Sequence, residues 1–374
     1  MLDCEIAVVG GGPAGLCAAA EASEWGAGVL LLDRDRIPGG QLVKQTHRFF
    51  GSEAQRAGTR GIDIAGILHD RLEASPSAAV WREADVVARY DDGVLGVERR
   101  GRWEKIRPQK LIFATGAAEK TLAVPGSDLP GVYGAGAVQT LMNVHGVRPG
   151  HRVLMVGAGN IGLIVSYQLL QAEIGVAAVV EATREVGGYW VHASKIRRLG
   201  VPILTGHTLL EVTGTDFVRG AVVAEIDENW KIQPGTRREI ECDAVCLAVG
   251  LGPLGDLMWQ CGCEMAWISE LGGYVPRRNE EMETSVEGIY VAGDAAGIEE
   301  ASAAMMEGRL AGLAAAHALG YVPPHQFTRI RSEIASELYH LRSGPTGDVT
   351  RRGLAALRGA PVRRQVLVEE GEPC

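Results

Sequence analysis

The chain has 374 residues, of which 46% are hydrophobic and 22% charged, and its formal net charge is −9. This balance excludes a disordered, collagenous or coiled-coil protein, and it disfavours a nucleic-acid partner, which needs a basic protein face. No apolar run reaches the roughly 18 residues of a membrane helix, so no membrane span is expected.

Glycine and cysteine usage add two expectations. The chain contains 50 glycines, well above the average share of roughly 7%, so many loops are expected to bring backbone close to another group. The seven cysteines have no disulfide-framework spacing, and the N-terminus enters an apolar run without a basic leader. Both features predict a reducing, cytoplasmic setting.

The chain opens with the pattern of a nucleotide-binding βαβ unit. A strand over residues 5–9 precedes the glycine turn 10–15, a helix over 16–22 and a second strand over 28–32 that ends at Asp33. In such a G-x-G-x-x-G turn the first glycine makes the turn and the second admits a diphosphate to the backbone. The third lets the helix pack on the strand, and the acid binds ribose hydroxyls.

The same pattern returns in the middle of the chain. A strand over residues 151–156 leads into the turn 157–162, a helix over 163–171 and a strand that ends at Glu181. Two copies predict two dinucleotide-binding domains. Glu181 favours NAD over NADP because a carboxylate repels a 2′-phosphate, whereas Arg184 would act in the opposite direction.

Further strands, a linker and a helix are predicted after the two βαβ units. Residues 111–116 (LIFATG) predict a strand that runs into a tight turn, and residues 125–131 have the composition of a linker. Residues 244–250 predict a strand, and residues 288–294 predict another that ends at Asp294. The helix expected over 301–319 would direct its positive N-terminus towards a negatively charged ligand group or would simply pack, and both can hold.

The tail has a different pattern. Apolar residues recur at helical spacing at Phe327, Ile330, Ile334, Leu338 and Leu341, and residues 351–364 contain five arginines and no acid. One helix of this length is not stable alone in water, so the stripe must be buried on its own domains or on another chain. The arginines favour a partner protein.

Three segments together resemble the flavoproteins with two dinucleotide-binding domains, a superfamily that includes thioredoxin reductase and the pyridine nucleotide–disulfide oxidoreductases. They are residues 10–15, residues 114–116 and residues 284–294 (TSVEGIYVAGD), and the resemblance covers about residues 3–320. It implies an α/β fold of two Rossmann-like three-layer nucleotide-binding domains, the second inserted in the first, with a short helical C-terminal tail. The expected boundaries are 1–122 and 270–322 for the FAD domain, 123–269 for the NAD domain and 323–374 for the tail.

The resemblance also implies which residues hold each cofactor. Asp294 matches the aspartate that contacts the flavin ribityl chain, and residues 39–42 (GGQL) match a segment that lies along FAD. The residues so assigned to FAD are Gly10, Gly12, Pro13, Ala14, Gly15, Asp33, Gly40, Gln41, Thr46, Thr115, Gly116, Gly293, Asp294 and Ala301. Those assigned to NAD are Gly157, Gly159, Asn160, Ile161, Gly162 and Glu181.

The sequence departs from the disulfide reductases where their second redox centre lies. Residues 41–50 and 136–147 contain no cysteine, and Cys261 and Cys263 are too close for an unstrained disulfide. A redox-active disulfide and a metal site are therefore not expected. His47 is the candidate catalytic residue, because it could accept a proton from an amine or steady reduced flavin; the alternative is a structural, hydrogen-bonded histidine.

A closer resemblance rests on residues 116–120, 129–133 and 308–312. They are similar to the FAD/NAD subunits of hetero-oligomeric dehydrogenases that act on amines and amino acids. This group includes the sarcosine oxidase alpha chain, opine oxidase A subunits, dye-linked proline dehydrogenase alpha chains and hydrogen cyanide synthase B. Many members carry a C-terminal cysteine cluster for a [2Fe–2S] centre. This chain has only Cys374 there, so an iron–sulfur protein is expected as a separate subunit.

Three hypotheses about function follow. The first is an FAD-dependent oxidoreductase subunit that transfers hydride or electrons between NAD(H), or an amine or amino-acid substrate system, and an electron carrier within a hetero-oligomer. The second is a stand-alone NADH-dependent reductase of a ferredoxin or quinone. The third is a nucleotide-bound assembly subunit without turnover. Reduction of the flavin by NADH separates the third hypothesis from the other two.

Overall fold

The structure is a computed structural model that describes residues 1–49, 53–344 and 347–364. The chain forms two compact units: Met1–Ala118 with Gly252–Cys374, and Glu119–Leu251. The second unit is thus an insertion in the first. The sequence prediction placed the two boundaries at 122/123 and 269/270. The first is 4 residues later in the chain than the observed boundary (122 − 118), and the second is 18 residues later (269 − 251).

Helices and strands alternate in the first part of each unit, and runs of consecutive strands follow. The helices of the described residues are α1 (Pro13–Glu24), α2 (Gly61–Glu73), α3 (Ala135–Gln139), α4 (Asn160–Gln171), α5 (Trp190–Arg198), α6 (Asp256–Gln260), α7 (Ala301–Ala318), α8 (Pro324–Leu341) and α9 (Asp348–Gly359). The strands there are β1 (Leu2–Val9), β2 (Val29–Leu32), β3 (Ala78–Trp81), β4 (Ala84–Arg89), β5 (Leu95–Arg99), β6 (Arg102–Phe113), β7 (Ala117–Glu119), β8 (Val132–Gly134), β9 (Arg152–Val156), β10 (Gly175–Glu181), β11 (Ile203–Thr205), β12 (His207–Gly214), β13 (Val218–Glu225), β14 (Arg238–Glu241), β15 (Ala244–Leu247), β16 (Leu251–Pro253), β17 (Met265–Ile268), β18 (Gly273–Pro276) and β19 (Ile289–Val291).

The first unit is built on a parallel sheet in the order β3-β2-β1-β6, with β19 beside β6 and the antiparallel strands β5 and β4 continuing from β6. The register aligns the strand ends: Val9 lies opposite both Leu32 and Phe113, and Val291 also lies opposite Phe113. The segments that leave β1, β2, β6 and β19 therefore meet at one edge of the sheet. In parallel α/β sheets this carboxyl edge is where ligands bind.

Helix α7 packs closely on α1 because two of its residues have no side chain. A Cβ at Gly308 would collide with the carbonyl of Ala14, and one at Gly312 would collide with the carbonyl of Ala18. The helix predicted over residues 301–319 is confirmed, with its end one residue earlier. The close approach holds the N-terminal end of α1, which begins the glycine-turn site, against the middle of α7.

Helix α8 covers the outer side of α7. The ring of Phe327 stacks on His317 with centroids 4.1 Å apart, and Ile330, Ile334 and Leu338 are buried in the core of the first unit. Helix α7 is buried on nearly every side, so it needs such a cover. Of the two alternatives for this stripe, the structure therefore shows burial on its own domain.

Helix α9 packs on the two-stranded sheet of β17 and β18, where Leu357 joins a small core. Two arginines of the basic tail have partners in the same chain: Arg351 contacts Asp348, and Arg364 donates to Glu264 at 2.7 Å. These two arginines are thus already neutralised by neighbouring acids of this chain.

The second unit has three layers. Its parallel sheet has the order β11-β10-β9-β15-β8, and side chains alternate between its faces. Val153 and Met155 of β9 pack with α3, α4 and α5, whereas Leu154 and Val156 pack against the antiparallel sheet of β12, β13 and β14. The prediction of a Rossmann-like three-layer domain is confirmed here, although the antiparallel layer was not predicted. Among the described residues, no helix is long and apolar enough to cross a membrane.

Candidate dinucleotide sites

The glycine turn of the first unit has one residue for each expected role. Gly10 has φ +105°, and a Cβ there would collide with the carbonyl of Ala114. A Cβ at Gly15 would collide with the carbonyl of Gly10. A Cβ at Gly12 would have only the Cα of Gly40 near it, at 4.0 Å, so this position is open. The second glycine thus leaves the space that a diphosphate needs.

The glycine turn of the second unit repeats this geometry. Gly157 has φ +109°, and a Cβ there would collide with the carbonyl of Ala248. A Cβ at Gly162 would collide with the carbonyl of Gly157, while one at Gly159 would have no heavy atom within 4 Å among the described residues. Both turns are therefore closed at the first and third glycine and open at the second.

Each turn leads into a helix without a capping side chain. Helix α1 begins at Pro13 after Gly12, and α4 begins at Asn160 after Gly159; neither glycine can satisfy the first helical amides. The amides at a helix N-terminus and the helix dipole favour an anion. The residues at both turns therefore fit the diphosphate of a dinucleotide.

Asp33 follows β2 at the carboxyl edge of the first sheet. It is 5% exposed, and its Oδ1 accepts a hydrogen bond from the amide of Asp35 at 3.2 Å. Its Oδ2 is buried and has no hydrogen-bond partner among the described residues. Burial raises the pKa of Asp33 to about 6. A buried carboxyl oxygen without a partner is suited to a ligand hydroxyl, as the ribose of FAD would supply.

Glu181 ends β10 in the second unit and is held in place by the turn. Its Oε2 accepts a hydrogen bond from the amide of Ala158 at 2.7 Å, and its Oε1 accepts two from Thr183 at 2.9 Å each. The carboxylate retains further lone pairs that can accept from ribose hydroxyls. Arg184 lies nearby in sequence and is exposed. The preference for NAD over NADP stays a prediction.

A Gly-Gly pair ties a second segment to each turn, a feature that sequence reasoning missed in the second unit. The amide of Gly39 donates to the carbonyl of Gly11 at 2.7 Å, and the amide of Gly188 donates to the carbonyl of Ala158 at 2.9 Å. In both copies the pair lies about thirty residues after the first glycine. That shared spacing is the signal that could have revealed it. The two sites are thus alike beyond the glycine turn.

The segment after β19 brings a third motif to the first site. Gly293 has φ +70°, and a Cβ there would come within 2.8 Å of the Cβ of Ala14. The amide of Ala292 donates to the carbonyl of Phe113 at 2.9 Å. Desolvation raises the pKa of the neighbouring Asp294 to about 6. The motif at 288–294 and the glycine turn at 10–15 therefore share one site.

The other residues assigned to FAD lie on segments that border this site. Thr115 Oγ1 donates to the carbonyl of Leu254 at 2.7 Å, and the carbonyl of Gly116 accepts from the amide of Leu254 at 3.0 Å. His47 is half-buried, with its ring stacked on Phe49 at a centroid distance of 6.0 Å. Ala301 begins α7. Gln41 and Thr46 lie on the segment between Gly40 and His47, and the roles of these residues towards a cofactor stay predictions.

The thiols of the described residues are not arranged for redox chemistry. The six cysteines there are free, and burial raises their pKa values, that of Cys4 to about 11 and that of Cys261 to about 12. A thiol with such a pKa is not a nucleophile at neutral pH. The described residues also contain no group of three or more His, Cys, Asp or Glu that could hold a metal ion.

Comparison with known sequences gives a family and two relatives. A model of the family described as pyridine nucleotide-disulphide oxidoreductase matches residues 4–308. The A subunit of opine oxidase from Agrobacterium tumefaciens (strain Ach5) is 30% identical over 83% of this chain and 65% of its own length. The alpha chain of sarcosine oxidase from Rhizobium meliloti (strain 1021) is 29% identical over 88% of this chain and 32% of its own length. The chain therefore spans less than two thirds of the first relative and about one third of the second.

Comparison with solved structures gives the fold. The thioredoxin reductase of T. acidophilum aligns with a TM-score of 0.68 at 22% identity, over 85% of this chain and 99% of that one. The predicted fold, two Rossmann-like domains with the second inserted in the first, is confirmed. The predicted resemblance to thioredoxin-reductase-like proteins and to subunits of amine oxidases is confirmed as well.

Proposed function

Because the chain belongs to the pyridine nucleotide-disulphide oxidoreductase family, we propose that it is an FAD-dependent oxidoreductase subunit. It would exchange hydride or electrons between NAD(H), or an amine or amino-acid substrate system, and an electron carrier. The observation that carries this proposal is the pair of like sites. Each has a glycine turn that is open only at its second glycine and an acid at the end of the next strand.

The first unit would hold FAD. The amides at the start of α1 would bind the diphosphate, the partnerless oxygen of Asp33 would accept from a ribose hydroxyl, and Asp294 would meet the ribityl chain. When bound, the flavin supplies hydride and electron transfer. The N-terminus of α7 would favour negative charge that develops near it. His47 is the proposed proton acceptor, because its ring is half-buried on the segment that leaves Gly40.

The second unit would hold NAD(H). The amides at the start of α4 would bind its diphosphate, and Glu181 would accept from the adenosine ribose hydroxyls. NADP would bring a 2′-phosphate next to this carboxylate, which repels it. Arg184 is the nearby cation in sequence that would reduce this discrimination. We therefore propose NAD as the second cofactor.

The electron route would not pass through a disulfide in this chain. Among the free cysteines of the described residues, Cys4 and Cys246 lie in strands, Cys17 lies in a helix, and the other three lie in turns or loops; burial raises their pKa values. The electrons would leave for another redox centre. The two relatives are named as subunits, so we propose that other oxidoreductase subunits, with an iron–sulfur protein among them, accept electrons within a cytoplasmic hetero-oligomer.

One observation favours the alternative of a stand-alone NADH-dependent reductase of a ferredoxin or quinone. The apolar stripe of α8 is covered by α7 of the same chain and so does not require another subunit. A non-catalytic assembly subunit is the remaining alternative. It would bind nucleotides at both sites without reduction of the flavin.

The test starts from the purified chain. The released flavin is identified by chromatography, and we expect FAD rather than FMN, because only FAD has a diphosphate and an adenosine ribose for Asp33. The chain is then mixed anaerobically with NADH, NADPH or an amine. Reduction by NADH supports an enzyme, while bound FAD that no reductant bleaches supports the assembly role. Co-purification with the products of neighbouring genes separates the complex from the stand-alone reductase.

A further inference from the structure

Four charged side chains form a buried ionic cluster next to the segment 293–300. They are Arg278, Glu299, Glu307 and Arg342, and their side chains are 5%, 8%, 3% and 16% exposed. Arg342 comes directly after α8. It donates two hydrogen bonds to Glu299, at 2.9 and 2.7 Å, and one to Glu307 at 2.6 Å. A residue of the C-terminal part of the chain thus bridges two acids near the start of α7.

This cluster is attached to the segment 293–300 at its beginning, middle and end. Glu307 accepts a hydrogen bond from the amide of Gly293 at 3.0 Å through the oxygen that Arg342 does not use. Arg278 donates to the carbonyl of Ala296 at 2.7 Å. At the far end, Glu299 is itself a member of the cluster. The segment is therefore held by charged groups at three points, Gly293, Ala296 and Glu299.

Arg342 supplies one of the two positive charges that face Glu299 and Glu307. Two guanidinium groups face two carboxylates, and the carboxyl of Asp294 accepts from the amide of Glu299 at 3.4 Å. Without Arg342, Glu299 and Glu307 would share Arg278 alone, which lies 3.7 Å from Glu307. A buried carboxylate without a partner must move, admit water or bind a proton. Movement of Glu307 or entry of water would disturb its hydrogen bond with the amide of Gly293, and movement of Glu299 would shift the backbone that carries it.

We propose that Arg342 is a positioning residue for the FAD site, because it holds Glu299 and Glu307 and through them the backbone of residues 293–300. The proposal rests on the proposed function, in which Gly293, Asp294 and Ala301 belong to the FAD site. It gives α8 a role beyond the burial of its apolar stripe: the helix carries Arg342 to the segment that would bind the flavin.

The test measures FAD affinity of the apoprotein by fluorescence titration, which does not depend on turnover. Arg342→Met keeps the aliphatic part of the side chain and removes its charge. We expect it to weaken FAD binding about tenfold or more, because a buried acid loses its partner. Arg342→Lys keeps the charge but loses the bidentate geometry, and we expect an intermediate affinity. If Arg342→Met does not fold, the affinity of Arg342→Lys tests the proposal by itself.

Two further variants separate positioning from general stability. Ile334→Ala removes a buried side chain from the same helix without touching the cluster, so we expect FAD affinity within about twofold of the wild type. Glu299→Gln in the Arg342→Met background removes the excess negative charge, and we expect it to recover much of the lost affinity. A role in packing alone would show no such recovery.

The outcomes are distinct. Wild-type apoprotein that binds no FAD would overturn the proposed function and this inference together. Wild-type protein that binds FAD, with Arg342→Met and Arg342→Lys binding it equally well, would overturn the inference alone. Equal losses in Arg342→Met and Ile334→Ala would also overturn it, because they would assign the effect to the packing of α8.

Discussion

At the scale of single residues, the two glycine turns offer a matched pair of variants. The structure leaves room for a methyl group at Gly12, 4.0 Å from the nearest heavy atom, and at Gly159, which has no heavy atom within 4 Å of an added Cβ. We expect Gly12→Ala and Gly159→Ala to fold, because the methyl group enters open space in the free protein. It would enter the space proposed for a diphosphate.

We therefore expect Gly12→Ala to lose FAD on purification, and Gly159→Ala to keep FAD but respond weakly to NADH. Gly66→Ala, at an open and exposed position in α2, is the control and should change neither property. Circular dichroism checks that each variant is folded, and absorbance measures the flavin content. Full FAD in folded Gly12→Ala would contradict the assignment of the first site.

Glu181 is expected to set the choice of nucleotide. Glu181→Gln removes the charge and keeps one acceptor oxygen, which can serve the amide of Ala158 or that of Thr183 but not both. A hydrogen bond to a charged group contributes about 1.5–3 kcal/mol. The affinity for NADH should therefore fall about ten- to hundredfold, and the affinity for NADPH should fall less. Arg184→Ala is the opposing variant, and it should lower the affinity for NADPH more than the affinity for NADH. Rates of flavin reduction at varied nucleotide concentration measure both, and a wild-type preference for NADPH would contradict the prediction.

Asp294 is expected to make the stability of the apoprotein depend on pH. Its pKa is raised to about 6, so its stabilising contribution is complete below the pKa of the unfolded chain and is lost as pH rises through about 6. A shift of this size corresponds to about 3 kcal/mol. Asp294→Asn should therefore be more stable than wild type at alkaline pH, and the difference should shrink in acid.

Denaturant unfolding of the apoprotein across pH measures this difference. Asp216→Asn, at an exposed position of the second unit, is the control and should follow the wild type at every pH. If Asp294→Asn also follows the wild type at every pH, the carboxyl is solvated in the apoprotein and the prediction fails.

Residue-scale prediction from the sequence worked where the chemistry is local. Gly10, Gly12 and Gly15 lie in one continuous strand–turn–helix segment, so their spacing alone indicated the local geometry, although the carbonyl that excludes a Cβ at Gly10 belongs to the distant Ala114. The cluster around Glu307 could not be found in this way. Its four members lie in separate parts of the chain, with Arg278 the first and Arg342 the last. Only the packing of α8 on α7 brings their charges together.

At the scale of elements, α8 shows what a sequence pattern can predict and what it cannot. The stripe from Phe327 to Leu341 predicted a one-faced helix, and the structure contains it as Pro324–Leu341. The pattern could not indicate what covers the stripe, because that depends on the exposed side of α7. The hairpin of β4 and β5 and the antiparallel layer of the second unit were also missed, although Asp92-Gly93 between β4 and β5 is a turn signal that could have indicated the hairpin.

The burial of α8 predicts a clear difference between two variants of that helix. Ile334 is 1% exposed, whereas Tyr339 is 69% exposed. We expect Ile334→Ala to lower the free energy of unfolding by about 2–5 kcal/mol, since it leaves a cavity in the core of the first unit. Tyr339→Ala should change it by about 0.5 kcal/mol or less. Denaturant unfolding measures both, and a small change in Ile334→Ala would mean that α8 does not pack on α7 in solution.

At the scale of the whole molecule, the two units carry the same arrangement in different surroundings. Each has a glycine turn open at its second glycine, an acid at the end of the following strand and a Gly-Gly pair tied to the turn. They differ in what surrounds the turn. The first unit adds the segment 293–300 and the buried ionic cluster, and the second adds an antiparallel sheet. This difference supports FAD at one site and a nicotinamide nucleotide at the other.

The measurement that tests this account most directly is an anaerobic titration of the purified, flavin-containing chain with NADH, followed through the visible absorption band of the flavin. We predict that NADH bleaches the band completely and that one equivalent per FAD is enough, because FAD would be a single two-electron centre and the described residues contain no disulfide beside its proposed site. No bleaching by NADH or NADPH would contradict the proposed electron route. A requirement for two equivalents per FAD would reveal a second redox centre in this chain and would contradict the account of its cysteines.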